Sequence, residues 1–226
     1  MEYESTLSGV FIERPNRFIA RVSIGGEEKI CHVKNTGRCR ELLLPGARVI
    51  LQRSGSGKRK TEYDLIAVYK GNTLINMDSQ APNAVFGELL AEGGFIPGIE
   101  AIKPECRFGD SRFDFYFEAA GRRCFAEVKG VTLEQDGVVM FPDAPTERGV
   151  KHIRELISAA REGYDAYIVF VVQMEKCRYF TPNRQTHPAF ADALVDARAA
   201  GVGIRAFRCI VTESTMRLAD EVEVRI

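Results

Sequence analysis

The hydrophobic pattern of this chain changes period once, near residue 80, and that change restricts the possible folds more than any other feature. Between residue 7 and about residue 77 the apolar residues come in short or alternating runs: "LSGVFIE", "RFIARVSI", "EKICHV", "ARVILQR", "EYDLIAVYK" and "TLINM". Turn chemistry such as "RPNR", "GGEE" and "KGNT" separates them, which predicts a small all-β barrel or sandwich. After Met77 helices and strands alternate. A helix is expected over 83–94, with Asn83 as its N-cap and a glycine stop. Strands follow at about 103–108, 112–118 and 123–131. A helix over 145–163 places Val150, Ile153, Leu156, Ile157 and Ala160 on one face. "AYIVFVVQM" is continuously apolar, as in a strand covered on both sides. The helix "PAFADALVDARAAG" and the strand "VGIRAFRCIV" complete an α-β-β-β-α-β-α-β order, hence a mixed sheet with helices packed on it.

The expected class is therefore α+β with two domains, an all-β unit over 1–80 and an α/β unit over 81–226. Within the first unit "NTGRCRELLLPG", 35–46, reads as a short helix between the third and fourth strands. That arrangement occurs in the five-stranded OB barrel.

The formal net charge is zero, but it is divided: residues 1–80 carry 13 Lys+Arg against 9 Asp+Glu, and the remainder 18 against 22. A nucleic-acid partner is thus a question of local distribution. The six cysteines are scattered, with no C-x-x-C pair and no histidine at ligand spacing, so neither a zinc site nor a disulfide framework is expected and a reducing cytoplasm fits. The amino terminus has no secretory signal pattern, and the longest apolar run, "AYIVFVV", is far shorter than the roughly 20 residues of a membrane helix. No membrane partner is expected.

The chemistry concentrates in "RFDFYFEAAGRRCFAEVKG", 112–130. Alternation puts Phe113, Phe115 and Phe117 on one face of the first arm and Asp114, Tyr116 and Glu118 on the other. In the second arm Phe125, Glu127 and Lys129 share a face. A two-residue turn at Ala120-Gly121 sets Asp114 directly opposite Glu127, with Cβ atoms about 5 Å apart, an unfavourable pairing of like charges. A divalent cation would offset the repulsion, because Mg²⁺ is typically held by one or two carboxylates and completes its sphere with water and substrate phosphate. Lys129 would then orient a water or balance phosphate charge. A solvated hairpin face with Lys129 bridging the acids is the alternative that needs no metal.

This acid on one strand and E-x-K on the next, after a helix, resembles the PD-(D/E)xK nuclease superfamily. More extensively, "NTGRCRELLLPG", "KRK", "SRFDF", "EVKGVTL" and "FPDAPTERGVKHIRELI" are similar to the sugar fermentation stimulation protein A family. The resemblance implies an OB-like amino-terminal domain and a restriction-endonuclease-like carboxy-terminal domain. It also implies sequence-nonspecific DNA binding and a role in regulating sugar (maltose) metabolism. Carried over, the superfamily motif falls on Asp114, Glu127 and Lys129, with Glu88 as the helix carboxylate and Glu92 as a weaker choice; Asp114, Glu127 and Glu88 would hold Mg²⁺ or Mn²⁺. Phe113 stands where the motif's nominal proline would be.

Basic residues suited to a phosphate backbone are Lys58, Arg59 and Lys60 after a glycine-serine segment, Lys34, Arg38 and Arg40 around "NTGR", and Arg53. Each is equally readable as solubilising charge. Asn35-Thr36-Gly37 reads first as a plain turn. Phe18 and Tyr63 are readable either as core or as stacking partners. Arg148, Lys151, His152 and Glu155 are placed on the side of their helix away from its apolar stripe, with Arg148 and Lys151 as phosphate contacts and His152 as a proton donor. Asp143 is expected to cap that helix. The expected partner is DNA, single- or double-stranded. A homodimer is expected because nuclease-fold proteins often need two sites to cut two strands. The contrasting expectations are a DNA-binding regulator that does not cut, and a barrel that serves protein contacts.

Overall fold

The computed structural model describes residues 1–35, 37–54 and 61–226. The chain begins with a closed barrel. Strands β1 (Thr6–Asn16), β2 (Ile19–Ile24), β3 (Glu27–Val33), β4 (Arg48–Arg53), β5 (Tyr63–Lys70) and β6 (Thr73–Asn76) form a sheet in the order β3-β2-β1-β4-β5-β6. A parallel pairing of β3 with β5, Cys31 to Tyr63 through Val33 to Leu65, closes five of them into the expected OB-like barrel, and β6 extends beyond the closure. Phe11, Ala20, Val22, Cys31, Val49, Leu51 and Leu65 alternate into its interior and are almost fully buried. Residues 37–47 form turns instead of the expected short helix. Isolated turns close there, with the amides of Leu42 and Leu43 both donating to the carbonyl of Cys39 and that of Ala47 to Leu44.

The second unit runs α1 (Ala81–Ala91), β7 (Ile99–Phe108), β8 (Ser111–Ala119), β9 (Arg122–Val131), β10 (Leu133–Gln135), β11 (Val138–Phe141), α2 (Glu147–Arg161), β12 (Asp165–Val172), β13 (Tyr179–Pro182), α3 (Pro188–Ala199), β14 (Gly203–Val211) and β15 (Met216–Val222). Its sheet has the order β15-β14-β12-β9-β8-β7, parallel across β9, β12 and β14 and antiparallel at both margins. One core layer, with Phe86 and Leu90 of α1, covers Phe115, Phe117, Cys124, Ala126 and Val128. The opposite layer packs α2 and α3 on Phe125, Ile168 and Phe170 and is continuous with the barrel core. A third small sheet, β10-β11-β13, was not expected from sequence.

The two units are locked together at the connecting segment. Asn76 and Asp78 are 1% exposed and Gln173, at the end of β12, is 2% exposed. Gln173 Nε2 donates to Asn76 Oδ1 and to the Asp78 carbonyl, Asn76 Nδ2 donates to the Tyr3 hydroxyl, and Tyr3 donates to Asp78 Oδ2. Asp78 Oδ1 accepts the amide of Gln80, which stands at the N-cap position of α1 without a side-chain capping bond. Asn83, expected as the cap, thus lies inside the first turn of the helix with its side chain free to reach elsewhere.

Candidate active site

The β8–β9 hairpin has the predicted register. Its pairs run from Ala119↔Arg122 to Phe115↔Ala126 around a two-residue turn in which Ala120 (φ 49°) and Gly121 (φ 75°) both take positive φ, the geometry of a type I′ turn. Burial of a phenylalanine contributes about 2 kcal/mol, and Phe117 and Phe125 are 0% and 4% exposed while Phe115 is 7% exposed. These terms together exceed the roughly 1 kcal/mol that facing like charges cost, so packing sets the register.

The ladder ends at Phe115↔Ala126, and the two acids lie at the next position, where the strands part. Asp114 Oδ2 accepts the backbone N–H of Val128 at 2.8 Å, and Oδ1 accepts Nδ2 of Asn83 from α1 at 2.9 Å. Phe113, expected beside Phe115 and Phe117, joins the other layer: its ring lies 5.2 Å from Phe125 and 5.8 Å from Phe108. Phe113 thus lies in a different core layer from Phe115 and Phe117, and the alternation expected along β8 fails at that residue.

Glu127 is 2% exposed. Its Oε1 receives Nζ of Lys129 at 2.5 Å and is in contact with Nδ1 of His152 from α2. Its Oε2 is buried and has no hydrogen-bond partner among the described residues. Expected on the solvent side of α2, His152 is instead 5% exposed. The helix turns it inward because a carboxylate 25 positions earlier provides the polar partner that a buried imidazole needs. On the outer side, Nε of Arg148 lies 3.3 Å from His152 Nε2, so a line of polar side chains runs from solvent to Glu127. The cap of α2 is Thr146, whose hydroxyl accepts the N–H of Gly149, and not Asp143.

Burial pushes the Asp114 carboxyl up, and the nearby Glu127 charge adds to it; the Val128 amide, Lys129 and Asn83 offset only part of this, leaving Asp114 above its ordinary value. Burial also acts upward on Glu127, but His152 and Lys129 outweigh it and hold Glu127 below its ordinary value. Two adjacent acids are thus driven apart in proton affinity by their surroundings.

Of the other expected residues, Glu88 binds the amino-terminal ammonium of Met1 at 2.7 Å, and the α1 side chain that meets Asp114 is Asn83. Lys34 is paired at 2.6 Å with buried Asp78, which ties it to the domain junction. Arg53 pairs with Glu62 at 2.9 Å and Lys151 with Glu155 at 3.7 Å. Lys58, Arg59 and Lys60 lie outside the described residues. Arg38 and Arg40 line a cleft of about 640 Å³ together with Arg14, Arg17 and Ala144. Arg14, overlooked in the sequence, is the framework of that cleft: its guanidinium donates to the carbonyls of Arg17, Asn35, Gly37 and Arg38. Asn35 Oδ1 accepts the Gly37 amide at 2.7 Å, and Thr36 between them lies outside the described residues.

Whether a divalent ion fits is decided by the donors present. Among the described residues no three His, Cys, Asp or Glu side chains converge as a metal cage. Two carboxylates do converge, one with an unpartnered buried oxygen. That donor set suits a hard cation that keeps water and phosphate in its remaining positions.

A model described as the SfsA N-terminal OB domain matches residues 12–77, and one described as the sugar fermentation stimulation protein RE domain matches residues 80–215. Sugar fermentation stimulation protein homologs are 58% identical in Desulfitobacterium hafniense, over 100% of this chain and 99% of that protein, and 53% identical in Clostridium beijerinckii, over 99% of each. The solved structure of Pyrococcus furiosus SfsA in complex with Ca²⁺ superposes with a TM-score of 0.91 at 30% identity, covering 100% of this chain and 98% of that one. The barrel, the mixed sheet and full-length relatives at this identity lead to one conclusion: the chain belongs to the sugar fermentation stimulation protein family.

Proposed function

We propose that this chain binds DNA without sequence specificity and hydrolyses its phosphodiester bonds at the hairpin site with Mg²⁺ or Mn²⁺. The observation that carries the reading is Glu127 Oε2, a buried carboxylate oxygen without a partner, beside an Asp114 carboxyl raised by burial and by that same charge. Asp114 and Glu127 would hold the ion. The metal would supply positive charge at the scissile phosphate and a more acidic water. Lys129 sits against Glu127, where its ammonium can orient the attacking water or balance the phosphate. Val128 N–H and Asn83 hold Asp114 in one orientation. The related Pyrococcus furiosus protein was solved as a Ca²⁺ complex, which supports a divalent-ion site in the family. Arg38, Arg40 and Arg148 are exposed and would meet the backbone, together with the exposed but ion-paired Arg53 and Lys151.

The second reading is a regulator of sugar metabolism that binds DNA and does not cut it. It is favoured by the compensation of Glu127, whose charge is already met by Lys129 and His152. The test is incubation of single- and double-stranded DNA with Mg²⁺ or Mn²⁺, comparing wild type with Lys129→Ala. Cleavage by wild type and its loss in the variant support hydrolysis; retained binding without cleavage by either supports the regulator. Sedimentation of the DNA complex checks the homodimer that two-strand cleavage would need. All six cysteines are free thiols, which suits the cytoplasm, and among the described residues no helix is long and apolar enough to cross a membrane.

A further inference from the structure

The barrel holds one aromatic ring out into solvent. Phe18, in the turn between β1 and β2, is 51% exposed. The turn is fixed, because Asn16 Oδ1 accepts the amides of Phe18 at 2.9 Å and Ile19 at 3.1 Å, and the Phe18 carbonyl accepts the amide of Val33 at 2.8 Å. The guanidinium of Arg17 lies 5.8 Å from the ring centroid. A rigid, outward phenylalanine flanked by a cation gives up burial and gains nothing for the core.

Two depressions meet at Arg17-Phe18. One, of about 190 Å³, is lined by Phe18, His32, Lys34, Asn35, Ser79 and Gln80. The other is the arginine cleft of about 640 Å³ already described. Among the described residues none of Arg17, Arg38 and Arg40 is paired with a carboxylate. The first depression ends at Gln80, the cap of α1, which carries Asn83 to Asp114. The second ends at Ala144, two residues before the cap of α2, which carries His152 to Glu127. An aromatic face with unpaired guanidinium groups beside it is the chemistry that holds a base by stacking and its phosphates by charge. Bases inside a duplex already stack on one another and cannot use such a face.

We propose that the Arg17-Phe18 junction is a subsite for an unpaired nucleotide, its base on Phe18 and its phosphates on Arg17, Arg38 and Arg40, so that the chain takes DNA with a single-stranded segment. This rests on the DNA-binding part of the function proposed above and is independent of cleavage.

Binding of a labelled oligo(dT), an abasic strand of equal length, a blunt duplex and oligo(rU) to the full chain tests it by fluorescence anisotropy. Oligo(dT) should bind at least about tenfold more tightly than the abasic strand and the duplex. Phe18→Ala should weaken oligo(dT) by about tenfold or more and leave the abasic strand unchanged. Because the chain has no tryptophan, Phe18→Trp provides a single reporter whose emission should be quenched by oligo(dT) and not by the abasic strand. Equal losses on both strands, an unquenched reporter, or Phe18-independent binding overturn the subsite. Tighter, Phe18-dependent binding of oligo(rU) overturns the assignment to DNA. Negligible binding of every nucleic acid overturns the DNA reading itself, a different result from binding that ignores Phe18.

Discussion

Asp114 accepts the backbone N–H of Val128 through its side chain, at the point where β8 and β9 stop pairing. The carboxylate completes the ladder by one bond and is fixed by it. Asp114→Asn keeps one acceptor for that amide, so the melting temperature should fall by the equivalent of only about 1 kcal/mol, while DNA cleavage with Mn²⁺ should drop at least a hundredfold. Unfolding of the variant in a thermal melt would instead assign Asp114 to the fold alone.

Asn83 occupies the place from which a helix acid would reach the ion. Asn83→Asp should add a third carboxylate and tighten Mn²⁺ binding, measured by calorimetry, by roughly tenfold. Glu88→Gln should leave that affinity unchanged, because Glu88 faces the Met1 ammonium. A loss of metal binding in Glu88→Gln would instead support Glu88 as a ligand.

Glu127 is buried against His152 and Lys129. Glu127→Ala should therefore cost on the order of 3 kcal/mol, since buried His152 and half-buried Lys129 both lose their acceptor. His152→Ala should cost less than Glu127→Ala, because Lys129 still compensates the acid. Urea unfolding of the two variants decides the order.

Lys70 of the barrel and Glu134 of β10 form a latch between the units at 2.6 Å, and Glu134 also accepts the Gly137 amide. Burial acts upward on this carboxyl, but Lys70 and the Gly137 amide outweigh it and hold it below its ordinary value. A carboxylate with a lowered folded-state pKa stabilises above its unfolded value and loses that contribution as pH falls through the folded one. Glu134→Gln should thus be less stable than wild type by about 1 kcal/mol at pH 7. The two melting curves should converge below about pH 4. A gap that persists in acid would show that shape and not charge is responsible.

Ala120 holds a positive φ that favours glycine or asparagine. Ala120→Asn should raise stability by roughly 0.5–1 kcal/mol and leave metal affinity untouched, checked by thermal melts and calorimetry on the same sample.

What could be read from the sequence divides by range. The turn at Ala120-Gly121 is local, so it gave the register, and with it the neighbourhood of Asp114 and Glu127. The barrel strands were legible for the same reason, as turns punctuate them. His152 was misplaced because a polar residue on an amphipathic helix reads as solvated until its distant acid is known. Asn83 looked like a cap because the helix starts earlier, after Gln80, whose amide is held by Asp78, itself bonded to Tyr3 and Gln173. The strands β10, β11 and β13 have three or four residues each and carry no period of their own. Phe18 was ambiguous because exposure of an aromatic residue is a property of the surrounding turn.

The junction built on Tyr3 has a consequence for synthesis. The first residues of the chain pair with some of the last: the Tyr3 amide donates to Ser214, the Met216 amide donates to Met1, and the Tyr3 hydroxyl belongs to a network completed by Gln173. As the chain leaves the ribosome, β1 to β6 are all present once residue 76 is out, yet the backbone partners of Met1 and Tyr3 follow about 140 residues later. Residues synthesised early therefore complete their backbone pairing only late in synthesis.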